Sequence, residues 1–139
     1  MSSIKDETTV QVSAARAYEA LTRQADYRGW WNKVAEVPEA VGGDVKLRFL
    51  KEGDVVNMGF RVDELTPGES VRWTCTSHDM PSWVGTTLSW RIRNTDGGVV
   101  VSLDHGGWKD AGPGPVAEGW RHFLGSLRAY LETGTGQPW

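Results

Sequence analysis

The chain has 139 residues, a net charge of −3 and a single cysteine, and this length predicts one domain over residues 1–139 with a substantial core. It holds no dense cluster of lysine and arginine and no long apolar run, so we expect neither nucleic-acid binding nor insertion into a membrane. A polar N-terminus without the apolar region of a signal peptide, together with the lone Cys75, predicts a cytoplasmic protein.

The first part of the chain predicts one strand followed by two short helices. Residues 8–12 alternate apolar and polar side chains, as a half-buried strand does. One helix is expected over residues 14–22, and a second over residues 24–31, ending in Trp30 and Trp31. Because adjacent residues do not share a helix face, we expect one tryptophan to point inward and the other to lie near the surface.

From residue 42 onward the pattern is that of strands. Five further segments alternate apolar with polar residues, and turn sequences rich in glycine, proline and aspartate separate them. They cover residues 45–50, 56–62, 71–76, 88–93 and 99–103. Together with the first strand, these segments indicate an antiparallel meander with one apolar face.

Residues 115–133 predict one long amphipathic helix. Pro115 suits its first turn, and Gly134 suits the position just after its end. At 100° per residue one sector collects Val116, Trp120, Phe123, Leu124, Leu127 and Leu131. We therefore predict an α+β fold in which a curved antiparallel sheet of about six or seven strands wraps around the C-terminal helix, with two short helices after strand one.

Few residues in this sequence are candidates for catalysis or for metal binding. Counting every second residue along the last strand places His105 on the inward side of the sheet. A neutral imidazole there could contact a ligand, move a proton or simply form a hydrogen bond to a nearby carbonyl. In an apolar site its pKa should lie below the ordinary value of about 6.5. By the same count Cys75 lies on the inward side and His78 does not, so His78 is interpreted as a polar residue of a loop. No further pair of cysteine or histidine residues completes a metal site with them. We predict no metal and no cofactor, and His105 is the one catalytic candidate.

Five segments, taken in order, carry a resemblance to a known family. They are the tryptophan segment 27–31, the Gly-Gly pair 42–43, the strand-to-proline turn 62–67, the strand end 97–108 and the closing helix 118–134. They resemble the SRPBCC superfamily of START and birch-allergen-like proteins, and more narrowly its branch named for activators of the heat-shock-protein ATPase (AHSA-like). The resemblance implies a helix-grip fold with a cavity between the sheet and the terminal helix.

This resemblance implies three alternative functions. The first is a carrier or sensor that binds a small hydrophobic or aromatic molecule in that cavity. The second is a cyclase or hydrolase type of enzyme that uses His105 on a hydrophobic substrate. The third is a stress-related co-chaperone of the heat-shock-protein ATPase. We expect only this one domain, without the separate N-terminal domain of the eukaryotic activators, which weighs against a chaperone partner.

We expect aromatic side chains, one methionine and the imidazole of His105 to line the cavity. The candidate residues are Trp30, Phe49, Met58, Phe60, Trp73, Trp90, His105, Trp120, Phe123 and Leu127. A wholly apolar cavity would favour the carrier, and two or more convergent polar groups would favour the enzyme. A filled core with an exposed apolar patch would favour the co-chaperone. The sequence leaves the oligomeric state open.

Overall fold

A computed structural model describes residues 2–51, 53–108 and 114–138. Within these ranges the chain forms six strands, three α-helices and one short 3₁₀ turn. The strands are β1 (Ser2–Val10), β2 (Asp44–Lys51), β3 (Asp54–Thr66), β4 (Ser70–His78), β5 (Thr87–Thr95) and β6 (Gly98–Trp108). The helices are α1 (Ala14–Ala20), α2 (Gln24–Trp30) and α3 (Gly114–Thr133), and the 3₁₀ turn spans Pro81–Trp83, between β4 and β5.

The six strands form one antiparallel sheet in the order β1-β6-β5-β4-β3-β2. Strands β2 to β6 are a simple meander, whereas β1 pairs with β6 at the opposite edge from β2. Helices α1 and α2 therefore carry the chain from one edge of the sheet to the other. The curved sheet packs against α3, which confirms the predicted α+β helix-grip fold.

Strand β1 begins earlier than its alternation predicted. It pairs with β6 from Ser2, opposite Trp108, to Val10, opposite Val99. Residues 3–9 alternate between exposed and half-buried, so most of the strand has no fully buried face to mark it in the sequence. The backbone hydrogen bonds to β6, rather than a hydrophobic pattern, place these residues in the sheet.

Helix α3 buries the apolar stripe that the sequence predicted. Trp120, Leu124 and Leu127 are at most 3% exposed. Gly134 ends the helix with a φ of +87°, and its N–H donates to the carbonyl of Tyr130 at 2.8 Å. Although α3 is long, no helix in the described ranges combines the length and apolarity that crossing a membrane requires.

Polar contacts attach α3 to the two short helices. The Ser126 hydroxyl donates to the carbonyl of Trp30 at 2.7 Å. The Tyr130 hydroxyl donates to the Asp26 carboxylate at 2.5 Å, and the Arg16 guanidinium donates to the same oxygen at 2.8 Å. Burial opposes the ionisation of Asp26, but these two hydrogen bonds, together with the positive charges of Arg16 and Arg23, hold the pKa of the carboxyl below its ordinary value. The C-terminal half of α3 is thus fixed against α1 and α2.

Candidate ligand-binding cavity

A cavity of about 370 Å³ lies between the N-terminal half of α3, strands β2 and β3, and the segment that follows β4. This volume is at the small end of the range for pockets that bind drug-sized molecules. Met80 at its border is 40% exposed, so the cavity reaches the surface there. The bordering residues are Trp31, Phe49, Val56, Met58, His78, Met80, Trp83, Pro115, Val116, Gly119, Trp120 and Phe123.

Some of the residues predicted for the cavity border it, and the others lie in the core. Phe49, Met58, Trp120 and Phe123 border the cavity. The remainder are at most 1% exposed and do not border it; they are Trp30, Phe60, Trp73, Trp90, His105 and Leu127. Their rings pack on one another, as in the perpendicular pairs that Trp90 forms with the rings of Trp30 and Trp120, at 5.9 and 5.7 Å. The aromatic side chains fill the space under the middle of the sheet. The cavity lies to one side of them, next to β2 and β3.

The expectation that one of the two adjacent tryptophans lies near the surface is wrong, because both are buried. The end of α2 is covered on more than one side. Trp30 faces the core and donates its indole N–H to the carbonyl of Ala20 at 2.9 Å. Trp31 lies against the rings of Trp120, at 5.2 Å, and Phe49, at 6.2 Å. Trp31 is therefore the member of the pair that borders the cavity.

His105 faces inward, as its parity predicted, but both of its ring nitrogens contact protein groups. The Trp120 indole N–H donates to Nδ1 at 3.0 Å. A neutral ring that accepts at Nδ1 carries its proton on Nε2, which lies 3.1 Å from the Thr86 hydroxyl oxygen. That hydroxyl donates in turn to the carbonyl of Trp83 at 2.6 Å. This series of hydrogen bonds, from Trp120 to Trp83, connects α3 to the 3₁₀ turn through β6.

The surroundings of His105 keep the imidazole neutral. Burial lowers its pKa to about 3, and the neighbouring His78 adds to the shift, in the direction that the sequence predicted. The residue is 0% exposed. With both nitrogens engaged and no surface toward the cavity, His105 is positioned to hold Trp120 rather than to contact a ligand.

His78, which the sequence assigned to loop polarity, borders the cavity. Its ring stacks on that of Trp83, with centroids 4.4 Å apart and planes 15° from parallel. Its Nδ1 accepts a hydrogen bond from the backbone N–H of Met80 at 2.8 Å. Desolvation lowers the pKa of His78 to about 4, although the charge of Asp79 opposes the shift, so the ring is neutral near pH 7.

A bulge in β4 explains why strand parity failed for this histidine. Cys75 lies opposite Phe60 and Ser77 lies opposite Gly59, which leaves Thr76 as an extra residue between them. The extra residue shifts the alternation by one position, so the last residue of β4 is directed inward. The sequence did carry one signal of the bulge, since a glycine inside a strand often marks one, and Gly59 lies on the partner strand.

The one cysteine takes no part in the cavity. Cys75 is buried, and its thiol donates to the carbonyl of Ser77 at 3.5 Å. Burial raises the pKa of the thiol to about 11, which keeps it protonated and unreactive. Among the residues that the structure describes, no three of the types His, Cys, Asp and Glu come close enough together to hold a metal ion.

Three solved structures illustrate the similarity of this chain to known proteins. The solution structure of the Aha1 dimer from Colwellia psychrerythraea is 26% identical with a TM-score of 0.82, over 98% of this chain and 100% of that one. A crystal structure of a protein from Chromobacterium violaceum is 27% identical with a TM-score of 0.81, over 94% and 96%. An AHSA1-like protein from Aeromonas hydrophila, at 14% identity and a TM-score of 0.75 over 95% and 93%, shares the fold.

Comparison at the level of sequence is consistent with these structures. No curated protein gives a significant match to the chain. A family model described as activator of Hsp90 ATPase homolog 1-like protein matches residues 11–132, which include α1, α2, all but the last residue of α3 and the five strands after β1. The chain therefore belongs to the family of activator of Hsp90 ATPase homolog 1-like proteins, a branch of the SRPBCC superfamily.

Proposed function

We propose that the chain binds a small hydrophobic or aromatic molecule in the cavity beside α3, as a carrier or sensor. The observation that carries the proposal is a cavity of about 370 Å³ with almost entirely apolar borders. Removing apolar surface from water contributes about 25 cal/mol per Å², so filling such a space is favourable. The rings of Trp31, Phe49, Trp120 and Phe123 give the ligand broad flat surfaces to contact.

The same cavity gives less support to an enzyme. General acid–base catalysis needs a titratable group within hydrogen-bond reach of the reacting atoms. His105, the candidate from sequence, bonds Trp120 and Thr86 and does not border the cavity. His78 is the one ionisable side chain among the described border residues, without a second one to act as its partner.

Family membership favours a co-chaperone as the second candidate, and one observation supports a contact surface. The side chains of Val55, Met80 and Val84 are 53%, 40% and 49% exposed, and each borders the cavity or adjoins a residue that does. If this surface contacts a chaperone ATPase, Met80→Asp and Val84→Asp should abolish any stimulation of the ATPase rate. Unchanged stimulation in both variants would contradict a role for this surface.

A substitution at Gly119 tests the carrier proposal. Gly119 borders the cavity from inside α3, and a Cβ there would meet no atom of the described residues within 4 Å beyond its chain neighbours and the helix's own backbone. We expect Gly119→Phe to place its ring in the cavity and to weaken binding of 2-acetylnaphthalene by about tenfold or more, equivalent to at least ~1.4 kcal/mol. Because Trp31, Trp83 and Trp120 border the cavity, binding to the wild type should change tryptophan emission saturably.

The matched control is Gly125→Phe. Gly125 lies in the same helix with the same open space at its Cβ, but it is exposed and does not border the cavity. Both variants replace a helical glycine by a residue of better helix propensity, so both should be as stable as the wild type or slightly more so. Equal loss of binding in the two variants, or no loss in either, would show that the cavity is not the binding site.

A further inference from the structure

Two N–H groups of residues at the cavity have no hydrogen-bond partner among the described residues. They are Nε2 of His78 and Nε1 of Trp83, and solvent reaches neither atom. Buried donors are nearly always paired, so each unpaired one needs an explanation. A third unpaired nitrogen, Nε1 of Trp90, lies in the core where its ring meets those of Trp30 and Trp120 at right angles, away from the cavity.

The hydrogen bond at the other nitrogen of His78 fixes its chemistry. Because Nδ1 accepts from the Met80 backbone N–H, the neutral ring must carry its proton on Nε2. The free position of the ring is therefore a donor and not an acceptor. The indole nitrogen of Trp83 can only donate, and its ring is stacked on that of His78 at 4.4 Å. Two stacked side chains at the cavity border thus each carry a donor that has no acceptor among the described residues.

Building on the proposed function, we propose that the ligand carries an uncharged carbonyl oxygen, as in a ketone, ester or amide, that accepts a hydrogen bond from Nε2–H of His78. Because Nε2 of His78 has almost no accessible surface in this structure, binding must shift the His78 ring or the border beside it; the stacked ring of Trp83 carries a second unpaired donor, which the proposal does not need. The rest of the ligand is apolar and lies against Phe49, Met58 and Phe123. The ligand class is then a carbonyl-bearing aromatic or aliphatic molecule rather than a plain hydrocarbon.

The charges around the cavity favour an uncharged acceptor. None of the described residues that border it is a lysine or an arginine. The carboxylate of Asp79, next to His78, adds a negative charge near the two donors. A ligand carboxylate would have to leave water without gaining a cationic partner among the described border residues, which is strongly unfavourable in an apolar site. A carbonyl oxygen loses far less hydration and still satisfies the donor.

A matched pair of probes tests the inference. In 2-isopropenylnaphthalene a CH₂ group replaces the carbonyl oxygen of 2-acetylnaphthalene with nearly the same shape. We expect the wild-type protein to bind the ketone about 5–10-fold more tightly, which is the usual net effect of one neutral hydrogen bond. In His78→Phe, which keeps an apolar ring beside Trp83, the two probes should bind equally. His122→Phe, at an exposed position of α3, should keep the preference.

A measurement on the wild type alone gives the same answer if His78→Phe does not fold. The infrared band of a ¹³C-labelled carbonyl in bound 2-acetylnaphthalene should lie below its frequency in an apolar solvent, as a hydrogen bond requires. A band at the apolar-solvent frequency, or a ketone preference that survives in His78→Phe, would overturn the inference. Tighter binding of 2-naphthoate than of the ketone would contradict the inference that the acceptor is uncharged.

The outcomes separate this inference from the proposed function. If the two naphthalene probes bind the wild type equally, and Gly119→Phe blocks both, the carbonyl acceptor is wrong and the apolar cavity remains a binding site. If neither probe binds at its solubility limit, the proposed function fails and the ligand class fails with it.

Discussion

Trp120→Ala is expected to lower the free energy of unfolding by about 3–5 kcal/mol, the usual effect of removing a large buried aromatic side chain. Trp120 is 3% exposed and lies against Trp31 and Trp90. The substitution also leaves Nδ1 of His105 without its donor. Urea unfolding at pH 7.5 measures the change.

Two further variants separate packing from hydrogen bonding at this position. Trp120→Phe keeps most of the ring but cannot donate to His105, so it should lose about 1–3 kcal/mol. Arg121→Ala, at the exposed neighbouring position, should change stability by no more than about 0.5 kcal/mol. A loss below about 1 kcal/mol in Trp120→Ala would mean that α3 does not depend on this side chain for its place on the sheet.

The second large effect is a loss of stability in mild acid. His105 has a pKa of about 3 in the folded protein and about 6.5 in the unfolded chain, so protonation favours the unfolded state. Its contribution is complete above pH 6.5 and is lost as the pH falls toward 3. The free energy of unfolding should therefore fall by about 2 kcal/mol between pH 7.5 and pH 5 from this group alone.

Between pH 7.5 and pH 5 the predicted change in the free energy of unfolding comes from histidines. Asp26 and Asp63, whose pKa values are lowered, stabilise the fold above about pH 4 and lose that contribution only below it. His78, with a pKa of about 4, adds a loss of the same sign. In His105→Gln, which retains one donor and one acceptor, the decrease between pH 7.5 and 5 should be smaller by about 2 kcal/mol. An equal decrease in both proteins would contradict the assignment.

The sequence predicted the parts of the fold that repeat a simple period. The strands β2 to β6 alternate every second residue, and α3 presents Trp120, Leu124 and Leu127 at helical spacing. These patterns exist because one face of each element is buried, so burial and sequence carry the same information. Strand β1 was predicted only at its C-terminal end, because residues 3–9 have no fully buried face.

The candidate site was harder to predict because it depends on departures from those periods. The bulge at Thr76 turns His78 inward, and one extra residue in a strand leaves little trace in an alternating pattern. Parity placed Trp73 and Trp90 on the apolar face, but it could not separate a wall of the cavity from the filled core. That distinction depends on how large rings pack in three dimensions. Likewise, only the structure shows that Trp120 occupies the nitrogen of His105 that a ligand would need.

The attachments of α3 make it a firmly held wall of the cavity. Lifting the helix would break its hydrogen bonds to His105, to the carbonyl of Trp30 and to Asp26 together. The cavity is also bordered by a short connection over residues 79–86, built on a single 3₁₀ turn. We expect a ligand to enter and leave past this short connection, where Met80 is exposed, with α3 as the more firmly held side of the passage.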